Sequence, residues 1–438
     1  MNLDLRQADL AHVFHPQTDL ARHAEVGPFL IERAQGVWVW DAEGRRYLDA
    51  MAGLWCVGLG YSEPRLVEAA RRQLERLPFC QSFGGRAHAP AIRLAERLAA
   101  LAPPGLTRVF FASSGSEAND TAIKLAWYLW NARGAPQRKR ILARRRSYHG
   151  VTVASGSLTG LPLLHGGFDL PQPFVHHLTA PHAAQQAAPG ESEEAFAARL
   201  VRELEEAIAT LGADTIAAFV AEPVIGAGGV IVPPAGYFPA VQEVLRRHGI
   251  LFVVDEVITG FWRTGPVWGA EAFGIEPDLL VCAKQLTSGY QPLSAVLVRE
   301  DLYREIATES GRRGSFAHGF TWSGHPVACA VGLEALNLYA ERDIARHVAR
   351  IAPEFQRRLR QAGEHPRVRE ARGLGLLGGL EMREPADAAR LEAAARARGL
   401  IVRAVGGDTV ALCPPLVIEG AELDALFDRL TLALGDLG

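Results

Sequence analysis

The 438-residue sequence predicts an α/β protein, with a large domain on a mostly parallel sheet and a smaller α+β domain. Three observations predict it. Short apolar runs bounded by turn residues, at 216–221, 249–254 and 279–283, read as buried strands. Stretches of helical periodicity separate them, as strand–helix–strand repeats require. Each run then ends on an ionisable residue: Glu222, Asp255 and Lys284. A buried charge costs desolvation energy, and ligand groups in open parallel sheets collect at the carboxyl ends of strands. Three such ends in one sheet therefore mark a site.

Bulk properties bound the function. The chain is long enough for two domains with sizeable cores. It is 48% apolar and 22% charged with a net charge of −3, which argues against a polyanion as its main partner. The cysteines, at 56, 80, 282, 329 and 413, show no paired spacing, so reduced thiols are expected in place of a disulfide framework or a zinc site. The first residues lack the basic and apolar segments of a signal peptide, and no apolar run approaches the ~20 residues of a membrane span. A soluble, cytoplasmic protein without nucleic-acid or membrane partners is expected.

Taken in order, residues 36–41 and 46–49 read as strands joined by an Ala-Glu-Gly turn. Residues 51–61, rich in glycine and aromatics, suit a loop that approaches a ligand, although Trp55 by itself reads as a core tryptophan. Helical periodicity covers 64–77 and 90–101. A strand at 108–112 feeds Ser113-Ser114-Gly115-Ser116-Glu117 and a helix to about Ala132. Free N–H groups and the positive dipole end at such a helix start can hold a phosphate. Ser114 and Glu117 also form a capping box, and the two readings are compatible. The six basic residues of 137–146 read as a solvated strand edge, because no aromatics interleave them.

Tyr148, in Tyr148-His149-Gly150, supplies an aromatic that can stack on a flat ring. Residues 158–188 read as loop. Their His176, His177 and His182 lack ligand spacing, so no metal site is expected. A helix follows at 192–211, before the strand that ends on Glu222. Residues 318–325 read alone as a polar turn. Helices are expected at 326–339 and 344–362. The glycines of 373–379 formally match a dinucleotide motif but precede a strand, so that match is rejected. Strands at 400–405 and 410–415 and a helix from Gly420 close the chain, with Arg403 by itself a surface arginine.

A lysine at the end of a buried strand is unusual. Burial lowers its pKa from about 10.4 and leaves a free amine able to condense with a carbonyl, unless the side chain simply emerges into solvent. Asp255, one strand–helix–strand repeat earlier, changes that balance. A lysine and an aspartate at two strand ends suit pyridoxal 5'-phosphate (PLP), the lysine on its aldehyde carbon and the aspartate on its ring nitrogen.

Over nearly the whole chain these stretches resemble the class III (subgroup II) PLP-dependent aminotransferases of fold type I, among them the omega-amine:pyruvate transaminases. The resemblance implies that Lys284 carries the cofactor and shuttles a proton, while Asp255 keeps the ring nitrogen protonated. It places Ser114, Gly115, Ser116 and Thr321 at the phosphate, Thr321 reaching the partner subunit's site. Tyr148, His149, Glu222 and Val257 would surround the ring, and Trp55, Phe83, Tyr148, Ala227 and Arg403 would border the substrate. Residues 1–60 and 329–438 would form the small domain and 61–328 the large one. An amine donor, a keto-acid acceptor such as pyruvate, a pyridoxamine phosphate halfway form and a homodimer or tetramer are implied.

The resemblance is not uniform. Ser113 stands where most relatives have asparagine, Ile225 where glutamine is frequent, and Gln285 and Trp262 where glycine is common. Trp262 is expected to narrow or rigidify its loop. Ala227 stands near a glutamate found in relatives that use glutamate. On the same fold a racemase, an aminomutase or a decarboxylase would use the same residues, and a PLP-binding protein without turnover is the reading from another class.

Overall fold

The computed structural model describes residues 2–438. At its centre lies a seven-stranded sheet. Across it run Leu106–Ala112, Ser294–Arg299, Leu279–Cys282, Leu251–Asp255, Ile216–Ala221, Arg140–Arg144 and Val175–Leu178. Only Ser294–Arg299 is antiparallel to its neighbours. The expected mostly parallel sheet is found.

The strands are apolar throughout because both faces are covered. Ala218, Val220, Val253 and Val281 face a cluster with Ala118, Ala122 and Leu129 of helix Gly115–Ala132. Their chain neighbours Phe219, Phe252 and Leu280 face the opposite cluster, with Leu204 of Glu193–Leu211 and Val241 of Tyr237–His248. The alternation follows from the two-residue period of a strand. Pairing of Asp255 with Val281 then brings Lys284, three positions further on, out beside the aspartate.

Two four-stranded sheets flank this unit. One joins Ile31–Gln35, Trp38–Asp41 and Arg46–Asp49 to Leu400–Ile401, a strand from the far end of the chain. The other is antiparallel and holds Val368–Leu374, Leu377–Met382, Thr409–Leu412 and Arg403–Val405. The rejected glycine motif is a hairpin turn of this sheet. Gly375 has φ +61°, and a Cβ there would meet the Arg263 carbonyl at 2.4 Å.

Two expectations fail. The stretch expected to be loop at 158–188 contains the edge strand Val175–Leu178, too short and too rich in histidine to stand out by apolar period. The basic run at 137–146 is no solvated edge either. Arg140–Arg144 lies between two parallel neighbours and is largely buried. Its cations are absorbed by acceptors: Arg144 donates to the Glu222 carbonyl, Arg138 to that of Gly249 at 2.9 Å, and Arg146 pairs with Asp408 at 2.8 Å. Among the described residues no helix is long and apolar enough to cross a membrane.

Candidate active site

A cavity of about 930 Å³ opens at the carboxyl ends of the parallel strands. Every predicted site residue lines it except Phe83 and Thr321. The separation has a local cause. Phe83 is 49% exposed and packs on the 319–325 turn: a Cβ on Gly319 would meet its ring at 2.8 Å. His88 bonds the Gly324 carbonyl at 2.7 Å, so both segments form one surface away from Lys284.

Lys284 begins a short turn after its strand, with φ +46°. That left-handed conformation costs a non-glycine residue roughly 1–3 kcal/mol and persists only where neighbours over-determine it. Those neighbours are visible. The Gln285 amide donates to the Gly260 carbonyl at 2.9 Å and accepts from Arg263 at 3.2 Å, while Tyr339 donates to the Gln285 carbonyl at 3.0 Å. Gln285 thus braces the turn. Trp262 has φ +66°, is buried against Tyr339 with ring centroids 5.3 Å apart, and does not line the cavity. It fills its loop without narrowing the site. Ile225 is buried in a bridge to Ile231.

The Lys284 amine lies 5.4 Å from the Trp55 ring centroid. Burial pushes its pKa down, with Cys56, Asp255 and Glu222 acting against that shift. The amine is thereby held closer to its neutral, nucleophilic form.

Asp255 is more deeply buried, and burial by itself would raise its pKa. Its partners reverse the sign. Oδ2 receives Nδ1 of His149 and Nδ2 of Asn119, both at 2.8 Å, and Oδ1 receives the Val257 N–H at 3.0 Å. Because a carboxylate only accepts, His149 carries its proton on Nδ1. The result is a buried, fixed negative charge facing the cavity. Glu222 differs: burial raises its pKa, and its oxygens accept the N–H groups of Tyr148 at 3.0 Å and Gly226 at 2.9 Å. It shapes the wall on which the Tyr148 ring sits.

At the other end lies the start of helix Gly115–Ala132. Ser114 accepts from the Glu117 N–H at 3.2 Å, and Glu117 accepts from the Ser113 N–H at 2.8 Å. The cap therefore occupies these groups and leaves the first-turn N–H groups of Gly115 and Ser116 for an anion. Crowding keeps the approach narrow. A Cβ on Gly115 would touch the Val257 methyls at 3.3 Å, and one on Gly150, at φ +133°, would meet Ser116 Oγ at 2.5 Å.

Across the cavity, the Arg403 guanidinium carbon sits 5.8 Å from the Trp55 ring centroid. Among the described residues, no carboxylate lies within ion-pair distance of it, and Ala227 on the same wall offers none. Trp55, at φ +58° and 4% exposed, belongs both to a buried apolar cluster and to the cavity wall.

The donor set fits PLP. A half-buried amine can meet the aldehyde carbon, an ionised carboxylate the protonated ring nitrogen, and a helix start the phosphate. Buried His149 Nε2 and Asn119 Oδ1 also lack protein partners beside this space. Asn119 and Gln17 are among the lining residues that sequence reasoning missed. Asn119 follows Gly115 by four positions and so shares its helix face, a legible signal. Gln17, which lines the cavity together with Tyr148, carried none.

Comparison with known proteins agrees. Residues 20–434 match the family model described as Aminotransferase class-III. Gamma aminobutyrate transaminase 1, mitochondrial, of Solanum lycopersicum is 48% identical over 414 residues, covering 92% of this chain and 80% of that one. The omega transaminase from Pseudomonas jessenii, in complex with PMP, superposes with a TM-score of 0.97 at 45% identity, covering 99% of this chain and 98% of that one. A transaminase with L-ala gives a TM-score of 0.92 at 49% identity, over 93% and 99% of the two chains.

Proposed function

The chain belongs to the class-III aminotransferase family and is a PLP-dependent transaminase, and from that premise we propose that it moves an amino group from an amine or omega-amino acid to pyruvate. The observation that carries the proposal is the unpaired Arg403 guanidinium beside an alanine wall. It can grip the carboxylate of a keto acid with two bonds, then swing aside for an uncharged amine. Ala227 leaves no carboxylate to hold it closed between substrates. The likeness to a transaminase with L-ala is in keeping with this.

When bound, the cofactor supplies the electron sink that stabilises a carbanion at the substrate carbon. The chain's residues do the rest. Lys284 would hold the cofactor, and its amine, when free, is placed to move the proton at the substrate carbon, a role typically worth ~10²–10⁴ in rate. Asp255, held ionised by His149, Asn119 and Val257, would keep the ring nitrogen protonated. Gly115, Ser116 and the Ser114 turn would hold the phosphate. Tyr148, whose N–H is held by Glu222, would stack on the ring, and Trp55 would border the substrate.

The same reading assigns Phe83 and Thr321 to the site of a partner subunit in a homodimer. Phe79, Phe83 and Trp322, 40%, 49% and 56% exposed, form an aromatic patch around that segment, of the kind that marks an interface. The division at residues 60 and 328 and a cytoplasmic location belong to this proposal too.

The test is the second half-reaction. With the enzyme first aminated by 1-phenylethylamine or beta-alanine, pyruvate should restore the starting spectrum faster than 2-oxoglutarate. The reverse order would refute the acceptor assignment.

A further inference from the structure

The N-terminal arm carries a separate group of ligand-type side chains. Helices Asn2–His12 and Leu20–Val26 fold against each other, Arg6 donating to the Val26 carbonyl. Asp9, His15 and His23 converge within this arm. His15 Nε2 lies 2.7 Å from Asp9 Oδ2, and His23 Nε2 lies 3.0 Å from Oδ1. The two imidazole centroids are 4.3 Å apart, and one ligand atom from each residue falls within 4.8 Å of the others. The three side chains are 29%, 13% and 14% exposed for His15, Asp9 and His23, so the group is sheltered yet reachable.

Without an ion, one carboxylate must accept protons from two imidazoles. One divalent cation could replace both protons. Imidazole nitrogens bind zinc at about 2.0–2.1 Å and carboxylate oxygens at about 2.0–2.2 Å, distances that small side-chain rotations from the present contacts would give. A fourth position would remain for water. A second group, His182 with Glu370 and Glu381, lacks this property. There Arg372 Nη1 donates to both carboxylates at 2.6 Å and already supplies the positive charge. Among the described residues no arginine or lysine is paired with Asp9, whose ion-pair partners are the two histidines.

We propose that Asp9, His15 and His23 form a binding site for a divalent transition-metal ion of the zinc class, which staples the N-terminal arm. The nitrogen and oxygen ligand set favours such ions over magnesium or calcium. The staple has a consequence for the active site. Gln17, two positions past His15, lines the large cavity together with Tyr148. A bound ion would fix the turn that delivers it.

The test uses the untagged holoenzyme, stripped with a chelator, dialysed and titrated calorimetrically with zinc chloride. Parent protein should take up one zinc per chain. Removing a direct ligand should cost at least the roughly 10–100-fold that an outer-shell partner costs, so His15→Gln, His23→Gln and Asp9→Asn should each weaken or abolish uptake. Cobalt(II) loaded in its place should give visible bands that vanish in the same variants. Zinc should also slow proteolysis within residues 2–26 of the parent only. No uptake by the parent, or uptake unchanged in all three variants, would overturn the proposal. The cofactor is present in every sample, so its own affinity for zinc cannot mimic the difference between parent and variants.

Discussion

Nδ1 of His149 lies 2.8 Å from Oδ2 of Asp255, at the carboxyl end of a central strand. This contact sets the charge of the site. Burial alone would neutralise the aspartate, and the donors from His149, Asn119 and Val257 keep it ionised instead. A folded pKa below the ordinary carboxylate value means the anion persists through the working pH range and is lost only as pH falls through that lowered value.

Asp255→Asn should therefore remove the counter-charge while keeping the shape. Turnover is expected to fall on the order of 10²-fold or more, as for loss of a preorganised electrostatic partner. His149→Phe should act more mildly and shift the acid limb of kcat/KM to higher pH. Steady-state pH profiles of both variants check this, and an unmoved acid limb in His149→Phe would contradict it.

Arg403→Leu should separate the two substrate classes. A lost charged hydrogen-bonding pair is worth about 1.5–3 kcal/mol, so KM for pyruvate should rise roughly 10–100-fold. KM for 1-phenylethylamine, which has no carboxylate, should change little. Equal effects on both would remove Arg403 from the carboxylate site.

Gly150→Ala should weaken cofactor retention. The residue sits at φ +133°, and a Cβ would press on Ser116 Oγ at 2.5 Å and Ser155 Oγ at 2.3 Å. Strain of roughly 1–3 kcal/mol at the phosphate end predicts a loss of about 5–100-fold in PLP affinity, read by equilibrium dialysis of the resolved enzyme.

Glu256 gives a stability prediction independent of catalysis. It is fully buried, and burial raises its pKa to about 7, although Thr259, Gly269 and Ala270 donate to it. The folded chain then keeps a proton that the unfolded chain releases near 4.5. Stability from this group is complete below pH ~4.5, falls as pH rises to about 7, and changes no further above that. The loss amounts to about 3 kcal/mol. The urea midpoint of Glu256→Gln should vary less with pH over this window than the parent's.

Much of this was legible in sequence because its physics is local. Strands buried on both faces read as apolar runs, and a charge at the end of each stands out against them. The edge strand Val175–Leu178 was not legible, since two of its four residues are histidines and its pairing is long-range. The buried arginines Arg144 and Arg263 were hidden for a related reason. Most of their partners are main-chain carbonyls, at Glu222, Leu376 and Pro414, which no residue pattern announces. Phe83 and Trp55 looked alike in sequence, yet one faces the cavity and the other the surface, because chain topology decides which loop folds over which strand end.

The central claim is that the Lys284 amine and the Asp255 carboxylate serve one cofactor. Single-turnover absorbance spectroscopy tests it most directly. The visible band of the holoenzyme should bleach on mixing with 1-phenylethylamine and return with pyruvate. In PLP-loaded Lys284→Ala, both phases should slow by at least ~10²–10⁴, with the fold preserved by circular dichroism. A Lys284→Ala enzyme that bleached and recovered at the parent rate would contradict the account.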